Sequence, residues 1–188
     1  MGKLLDNAIE YAIKAHAGQS RKAQGAPYIL HPMEAAVIAG GLTGDEEVLA
    51  AAVLHDVVED TEATLTQIEK TFGSRVAFLV ASETEDKRRG TPPEESWKVR
   101  KEESVASLRK TTDEGVKIVW LADKLSNIRS IRAGVKEEGP SFFEHFHQKD
   151  PKMHEWYYRE ILDALSSLSG SAAYEEFGRL IDEVFGAE

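Results

Sequence analysis

The segment His55-Asp56-Val57-Val58-Glu59-Asp60 packs one imidazole and three carboxylates into six residues, directly after the apolar run 48–54. On a helix capped by Asp45 and running to about Val58, spacings of three and four residues put these groups on neighbouring ridges at one helix end. The carboxylates repel one another and sit where the helix dipole is negative. A divalent cation would compensate, because imidazole nitrogen and carboxylate oxygen are both metal donors; a solvated acidic helix end is the plainer alternative. Asp123 is the second unusual group, set in the apolar stretch 116–128. A buried carboxylate needs a partner or a metal. Lys124 is expected to point elsewhere, Asn127 shares the face of Asp123 one turn on, and an Arg from another helix is the competing partner. The third is Arg21-Lys22, followed by Gly25, Pro27-Tyr28 and His31-Pro32. Gly25 and Pro27 mark a turn, and Pro32 predicts an extended His31 at a helix entrance. That is a rigid place to present an imidazole, though a structural or exposed His reads the same way.

The elements that must position these groups are helical throughout. Leu5, Ile9, Ala12 and Ile13, with Ala15 or His16, trace one helix face. Helices are predicted over 32–41, from Asp45 to about 58, from the Thr64/Gln67 capping box to Gly73, and over 74–84. A loop covers 85–95, then come a helix over about 96–110, one from Thr112 or Asp113 through Ile128, and two amphipathic stretches, about 151–168 and 171–185. No alternating strand pattern of useful length is present. The expected fold is all-α, a compact single domain spanning 1–188, with core motifs at about 5–135 and C-terminal packing helices at about 150–186.

Composition narrows the class. With 188 residues, one domain is the default at roughly 100–200 residues each. The absence of cysteine excludes a disulfide scaffold, a zinc ribbon and a thiol nucleophile. The short apolar runs and the mixed N-terminus predict no membrane span and no signal peptide, hence a cytoplasmic protein. A net charge of −10 argues against long nucleic acid or an anionic membrane as partner. The charge is uneven, however: 87–110 holds eight basic and four acidic residues, leaving the rest of the chain at −14. A small, highly phosphorylated ligand could meet that basic rim.

In order, His31, His55-Asp56 and Asp123 resemble the H…HD…D metal signature of the HD phosphohydrolase superfamily. Arg21-Lys22, Pro27-Tyr28-Ile29 with His31-Pro32, then His55-Asp56 with Glu59-Asp60-Thr61, then Ala122-Asp123-Lys124 with Asn127, resemble the hydrolase domain of the Rel/Spo alarmone enzymes. The chain is too short to add that family's synthetase domain, so the resemblance is to a stand-alone small alarmone hydrolase with the HD-domain fold. It implies one Mn²⁺ per site held by His31, His55, Asp56 and Asp123, with Glu59 and Asp60 activating the attacking water. The implied reaction removes the 3′-diphosphate of guanosine tetra- or pentaphosphate as pyrophosphate.

The resemblance also implies substrate contacts. Arg21 and Lys22 would hold phosphates, Tyr28 would pack by the base or sugar, and Asn127 would touch the ribose. Lys87, Arg100 and Lys101 resemble a basic pattern of one bacterial branch, although Thr84 interrupts it. Trp97 reads equally as core anchor or base stack; Tyr157, within an aromatic run that mostly packs, could reach the nucleotide. His145, His147 and His154 read as surface or packing residues. Adenosine alarmones, the 2′-phosphate of NADPH and an inactive nucleotide sensor are the competing readings. Oligomeric state is not legible in the sequence.

Overall fold

The computed structural model describes residues 2–21, 25–88 and 90–186. Ten α-helices account for most of them, and the described residues hold no strand, only an isolated bridge between Ser20 and Pro27. The first half comprises α1 (Lys3–Ala15), α2 (Leu30–Gly40), α3 (Glu46–Leu54), α4 (Val57–Asp60), α5 (Leu65–Phe72) and α6 (Ser74–Glu83). The second comprises α7 (Pro93–Lys110), α8 (Glu114–Glu138), α9 (Pro151–Ala164) and α10 (Ala172–Phe185), with 3₁₀ turns at Gly139–His145 and Ser166–Leu168. No helix of the described residues is long and apolar enough to cross a membrane.

Local chemistry sets the boundaries. Asp45 caps α3 by accepting from the Glu47 amide at 2.9 Å, and Thr64 with Gln67 forms the capping box that starts α5. Gly73, at φ 94°, ends α5 and turns the chain into α6. Asp113 both caps α8 and chelates the Arg75 guanidinium at 2.5 and 2.8 Å, fixing the start of α8 against α6. That helix is the axis of the molecule. Its first four turns are buried nearly all round, at Val116, Ile118, Val119, Trp120, Leu121, Leu125 and Ile128. A helix apolar on every side belongs in a core, and α8 packs against α2, α3, α6 and α10.

Four expectations need correction. The helix from Asp45 stops at Leu54 and restarts as α4 at Val57. The His55 Nδ1–H donates to the Ala52 carbonyl at 2.8 Å, the acceptor a continuing helix would give to the Asp56 amide, and Asp56 takes a bridge conformation (φ −92°, ψ −7°). Second, His31 is not extended: α2 begins at Leu30, and Pro32 sits in the first turn, where a missing N–H costs nothing. Third, α7 starts at Pro93 rather than at 96, on a proline suited to a first helical position. Fourth, α8 runs ten residues past Ile128 before Gly139, at φ 70°, ends it.

Gly134 on α8 is where the 3₁₀ turn closes onto the core. A Cβ there would lie inside the van der Waals envelope of the fully buried Phe142 ring. Gly134→Ala is expected to destabilise the protein by about 1–3 kcal/mol through overpacking, although alanine is the better helix former by about 1 kcal/mol. Chemical denaturation checks the sign.

Candidate metal centre and cleft

Two imidazoles meet where α2, the α3–α4 break and α8 converge. His31 Nε2 and His55 Nε2 are 3.2 Å apart, and both rings are buried. Asp123 Oδ1 lies 3.0 Å from His31 Nε2 and 3.4 Å from His55 Nε2. Asp56 Oδ2 lies 3.4 and 3.1 Å from the same two nitrogens. His31, His55 and Asp123 qualify as a buried metal-binding group by mutual donor distance, and Asp56 flanks them.

The tautomers suit a cation. His55 Nδ1 faces the Ala52 carbonyl, which can only accept, so Nδ1 carries the proton and Nε2 offers a lone pair. His31 Nδ1 lies 2.8 Å from Ser126 Oγ, whose own proton goes to Glu34 Oε2 at 2.7 Å; the ring is therefore again protonated at Nδ1. Two lone pairs and two carboxylate oxygens then face one point, a donor set of N and O that fits a first-row divalent ion. A cation competes with a proton here. Burial disfavours ionised Asp56, yet His55, itself held despite burial well above its ordinary range by Asp56 and Asp123, and His31 hold the Asp56 carboxyl well below the usual range. Burial likewise opposes ionised Asp123, and Lys124 and the two imidazoles override it.

Lys124 does not point elsewhere. Its ammonium contacts Asp123 Oδ2, lies 3.4 Å from Glu83 Oε2 and sits over the Trp120 ring. It folds back onto the two buried carboxylates, which would otherwise lack a cation. The Lys–Asp contact thus takes the place of the Arg from another helix. Asn127 Nδ2 donates to Asp123 Oδ1 at 2.6 Å, and Arg21 donates to Asn127 Oδ1 at 2.9 Å.

Glu59 and Asp60 stand beside this cluster on α4. Tyr28 Oη donates to Asp56 Oδ2 at 2.6 Å and to Asp60 Oδ2 at 3.0 Å, so the phenol bridges two acidic groups. Burial, Asp56 and Asp60 raise the Tyr28 pKa and keep it a donor. Burial and Asp56 raise the Glu59 carboxyl, while Lys87 and the Glu85 amide, 3.2 Å from Oε2, pull it back. Lys87 reaches Asp60 at 2.5 Å and Glu59 at 3.4 Å.

A cleft of about 340 Å³ opens next to the cluster. Its polar side carries Arg21, Tyr28, Asp60, Lys101, Lys124 and Asn127; its other wall is aromatic, from Trp97, Phe142, Phe146 and Tyr157. A second groove holds Glu59 and Lys87 and shares Asp60 with the first. Arg100 lines neither: it pairs with Glu85 at 2.9 Å, as Lys101 does at 2.6 Å. Lys22 lies outside the described residues. The Trp97 ring is both buried and part of the wall, edge-on to Tyr157. The Tyr157 hydroxyl and Glu83 Oε1 are buried without a hydrogen-bond partner. Glu83, Ser126 and Glu34 were missed in the sequence. The last two sit three residues after Asp123 and His31, a helical spacing that could have flagged them.

The HD domain family model matches residues 8–150. The chain is 41% identical over 128 residues to the guanosine-3′,5′-bis(diphosphate) 3′-pyrophosphohydrolase of Homo sapiens, covering 66% of this chain and 67% of that one. It is 38% identical over 137 residues to the GTP pyrophosphokinase rsh of Brucella ovis, covering 72% of this chain but 18% of that one; the chain thus spans under a fifth of the length of such relatives. Among solved structures, a metazoan ortholog of SpoT that hydrolyses ppGpp superposes with a TM-score of 0.74 at 28% identity, covering 99% of this chain and 96% of that one. A Listeria monocytogenes EGD-e protein gives 0.73 at 32% identity, covering 84% of this chain and 99% of that one.

His154 closes the aromatic wall, packed on Trp97, Phe143 and Phe146, with Nε2 2.7 Å from the Gln148 carbonyl. Burial lowers its pKa below 6.5. The unfolded chain then binds the proton that the folded one refuses, so this contribution is present above pH 6.5 and declines below it. Between pH 7 and 5, wild type should lose more stability than His154→Phe in paired denaturation curves.

Proposed function

The chain belongs to the HD domain family, and from that premise we propose that it hydrolyses the 3′-diphosphate of guanosine alarmones, giving GDP or GTP and pyrophosphate. The observation that carries this reading is the convergence of His31, His55, Asp56 and Asp123 beside Glu59 and Asp60, next to a cleft of about 340 Å³ that Asp60 also lines. A Mn²⁺ ion held by the four residues supplies Lewis acidity toward a phosphoryl oxygen and a water of lowered pKa.

The chain's own groups do the rest. Glu59, raised by burial and Asp56, accepts the proton of the attacking water. The water oxygen bonds to the phosphorus next to the sugar, the bond from that phosphorus to the 3′ oxygen breaks, and the 3′ oxygen takes a proton from solvent, to which Glu59 returns the one it accepted. Asp60, steadied by Tyr28 and the Gln19 side chain on its carbonyl, orients the water. Tyr28 therefore serves the carboxylates through its hydroxyl while its ring lines the cleft. Arg21 and Lys101, with Lys22, hold phosphates, and Asn127 faces the ribose. Lys87 exchanges Asp60 for a phosphate when substrate arrives. Tyr157 and Trp97 offer the base an apolar face. Arg100 acts at one remove, by holding Glu85 beside Lys101.

Assayed with Mn²⁺ against guanosine and adenosine 3′-diphosphates and NADPH, the protein should release pyrophosphate from the 3′-diphosphates, with the highest kcat/KM for the guanosine compounds. A faster phosphate release from NADPH would move the activity to a 2′-phosphatase. Asp56→Ala should abolish Mn²⁺ binding and turnover together. Glu59→Gln should keep the ion and lose about 10²–10⁴-fold in kcat.

A further inference from the structure

The last helix, α10, carries no recognisable motif, yet polar contacts run from it to the metal cluster. Glu176 on α10 chelates Arg129 of α8, accepting from Nε at 2.9 Å and Nη2 at 2.7 Å. Arg129 Nη1 donates to Glu34 Oε1 of α2 at 2.9 Å. Glu34 Oε2 accepts from Ser126 Oγ at 2.7 Å, and Ser126 Oγ lies 2.8 Å from His31 Nδ1. Every link is a hydrogen bond with one direction: Arg129 donates to Glu34, Ser126 donates to Glu34, and Ser126 is left to accept from His31.

We infer that Ser126, Glu34 and Arg129 form a positioning relay that fixes the His31 imidazole for a divalent cation and ties that ring to α10 through Glu176. The inference rests on the metal reading above. Ser126 is fully buried, so its hydroxyl has no water to turn toward, and Glu34 decides where its proton goes. With that proton committed, Ser126 Oγ can only accept from His31, leaving Nε2 as the lone pair aimed at Asp123 and His55. Arg129 holds Glu34 in one rotamer, and Glu176 holds Arg129. His55 has a backbone acceptor for the same task, Ala52, and needs no such chain. The relay is how His31, on a different helix, reaches the same tautomer.

A built-in control separates this role from ordinary helix docking. Arg132 of α8 pairs with Glu183 of α10 at 2.5 Å, joining the same two helices without touching Glu34 or His31. The test uses full-length protein stripped with a chelator and titrated with Mn²⁺ by calorimetry, with the melting temperature of each metal-free protein read alongside. Ser126→Ala and Glu34→Gln should weaken Mn²⁺ binding about 10–100-fold, and Glu176→Gln by a smaller factor in the same direction. Ser126→Thr, which keeps the hydroxyl, should restore most of the affinity. Glu183→Gln should leave it unchanged. Should Ser126→Ala fail to fold, Glu34→Gln, at a half-exposed position, carries the test. Affinity within about twofold of wild type in folded Ser126→Ala or Glu34→Gln overturns the relay. So does an equal loss in Glu176→Gln and Glu183→Gln, which would assign the effect to docking of α10. If wild type itself binds no Mn²⁺, the metal reading fails and the relay with it, an outcome distinct from both.

Discussion

Four lone-pair donors face one another inside an apolar core, and much of the fold answers to that fact. Imidazole nitrogens 3.2 Å apart, flanked by carboxylate oxygens at 3.0–3.4 Å, are tolerable only with positive charge among or behind them. Each of the three contributing segments is shaped for the purpose. The first turn of α2 accepts a proline so that His31 can face inward. The α3 ladder stops at Leu54 so that His55 and Asp56 can leave the helix axis. The first four turns of α8 are buried nearly all round, and Asp123, Lys124 and Ser126 enter the cluster from them.

Around that centre, lysines and arginines are shared with carboxylates. Lys124 lies between Asp123 and Glu83, Lys87 between Asp60 and Glu59, and Arg100 with Lys101 on Glu85. Glu85 stays ionised despite burial because Lys101 and Arg100 hold its carboxyl low. Glu83, with one oxygen unpartnered, is pushed up to about 8 by burial, against the pull of Lys124. A chain with a net charge of −10 therefore keeps a compensated cleft.

How much of this was legible depended on the kind of interaction. His31, His55, Asp56 and Asp123 stood out because charged groups amid apolar residues are costly and demand a reason, and the segments bearing them were visible from periodicity and caps such as Asp45 and Thr64. The break at His55 was not, because it arises from a side chain competing for a carbonyl, which no hydrophobic pattern records. Lys124 was misjudged for a related reason. Helical geometry separates adjacent side chains, but a four-carbon stem in a dry core can double back to the nearest carboxylate. The pairing of Glu85 with Arg100 and Lys101 is a tertiary event between a loop and α7, and sequence spacing is silent on it. The 3₁₀ turn at Gly139–His145 escaped notice because it is held by Phe142 against Gly134, a contact defined only once α8 is in place.

The two walls of the cleft come mostly from different stretches of chain. Arg21, Tyr28, Asp60, Lys124 and Asn127 belong to the segments that build the donor cluster, whereas Phe142, Phe146, His154 and Tyr157 follow the end of α8, and α7 adds Lys101 to the first wall and Trp97 to the second. Chemistry and shape are consequently inherited separately. Substitutions after α8 can remodel the apolar face of the pocket while the donor cluster keeps its positions. The same scaffold can thus be retuned toward ligands of a different shape without that cluster being rebuilt.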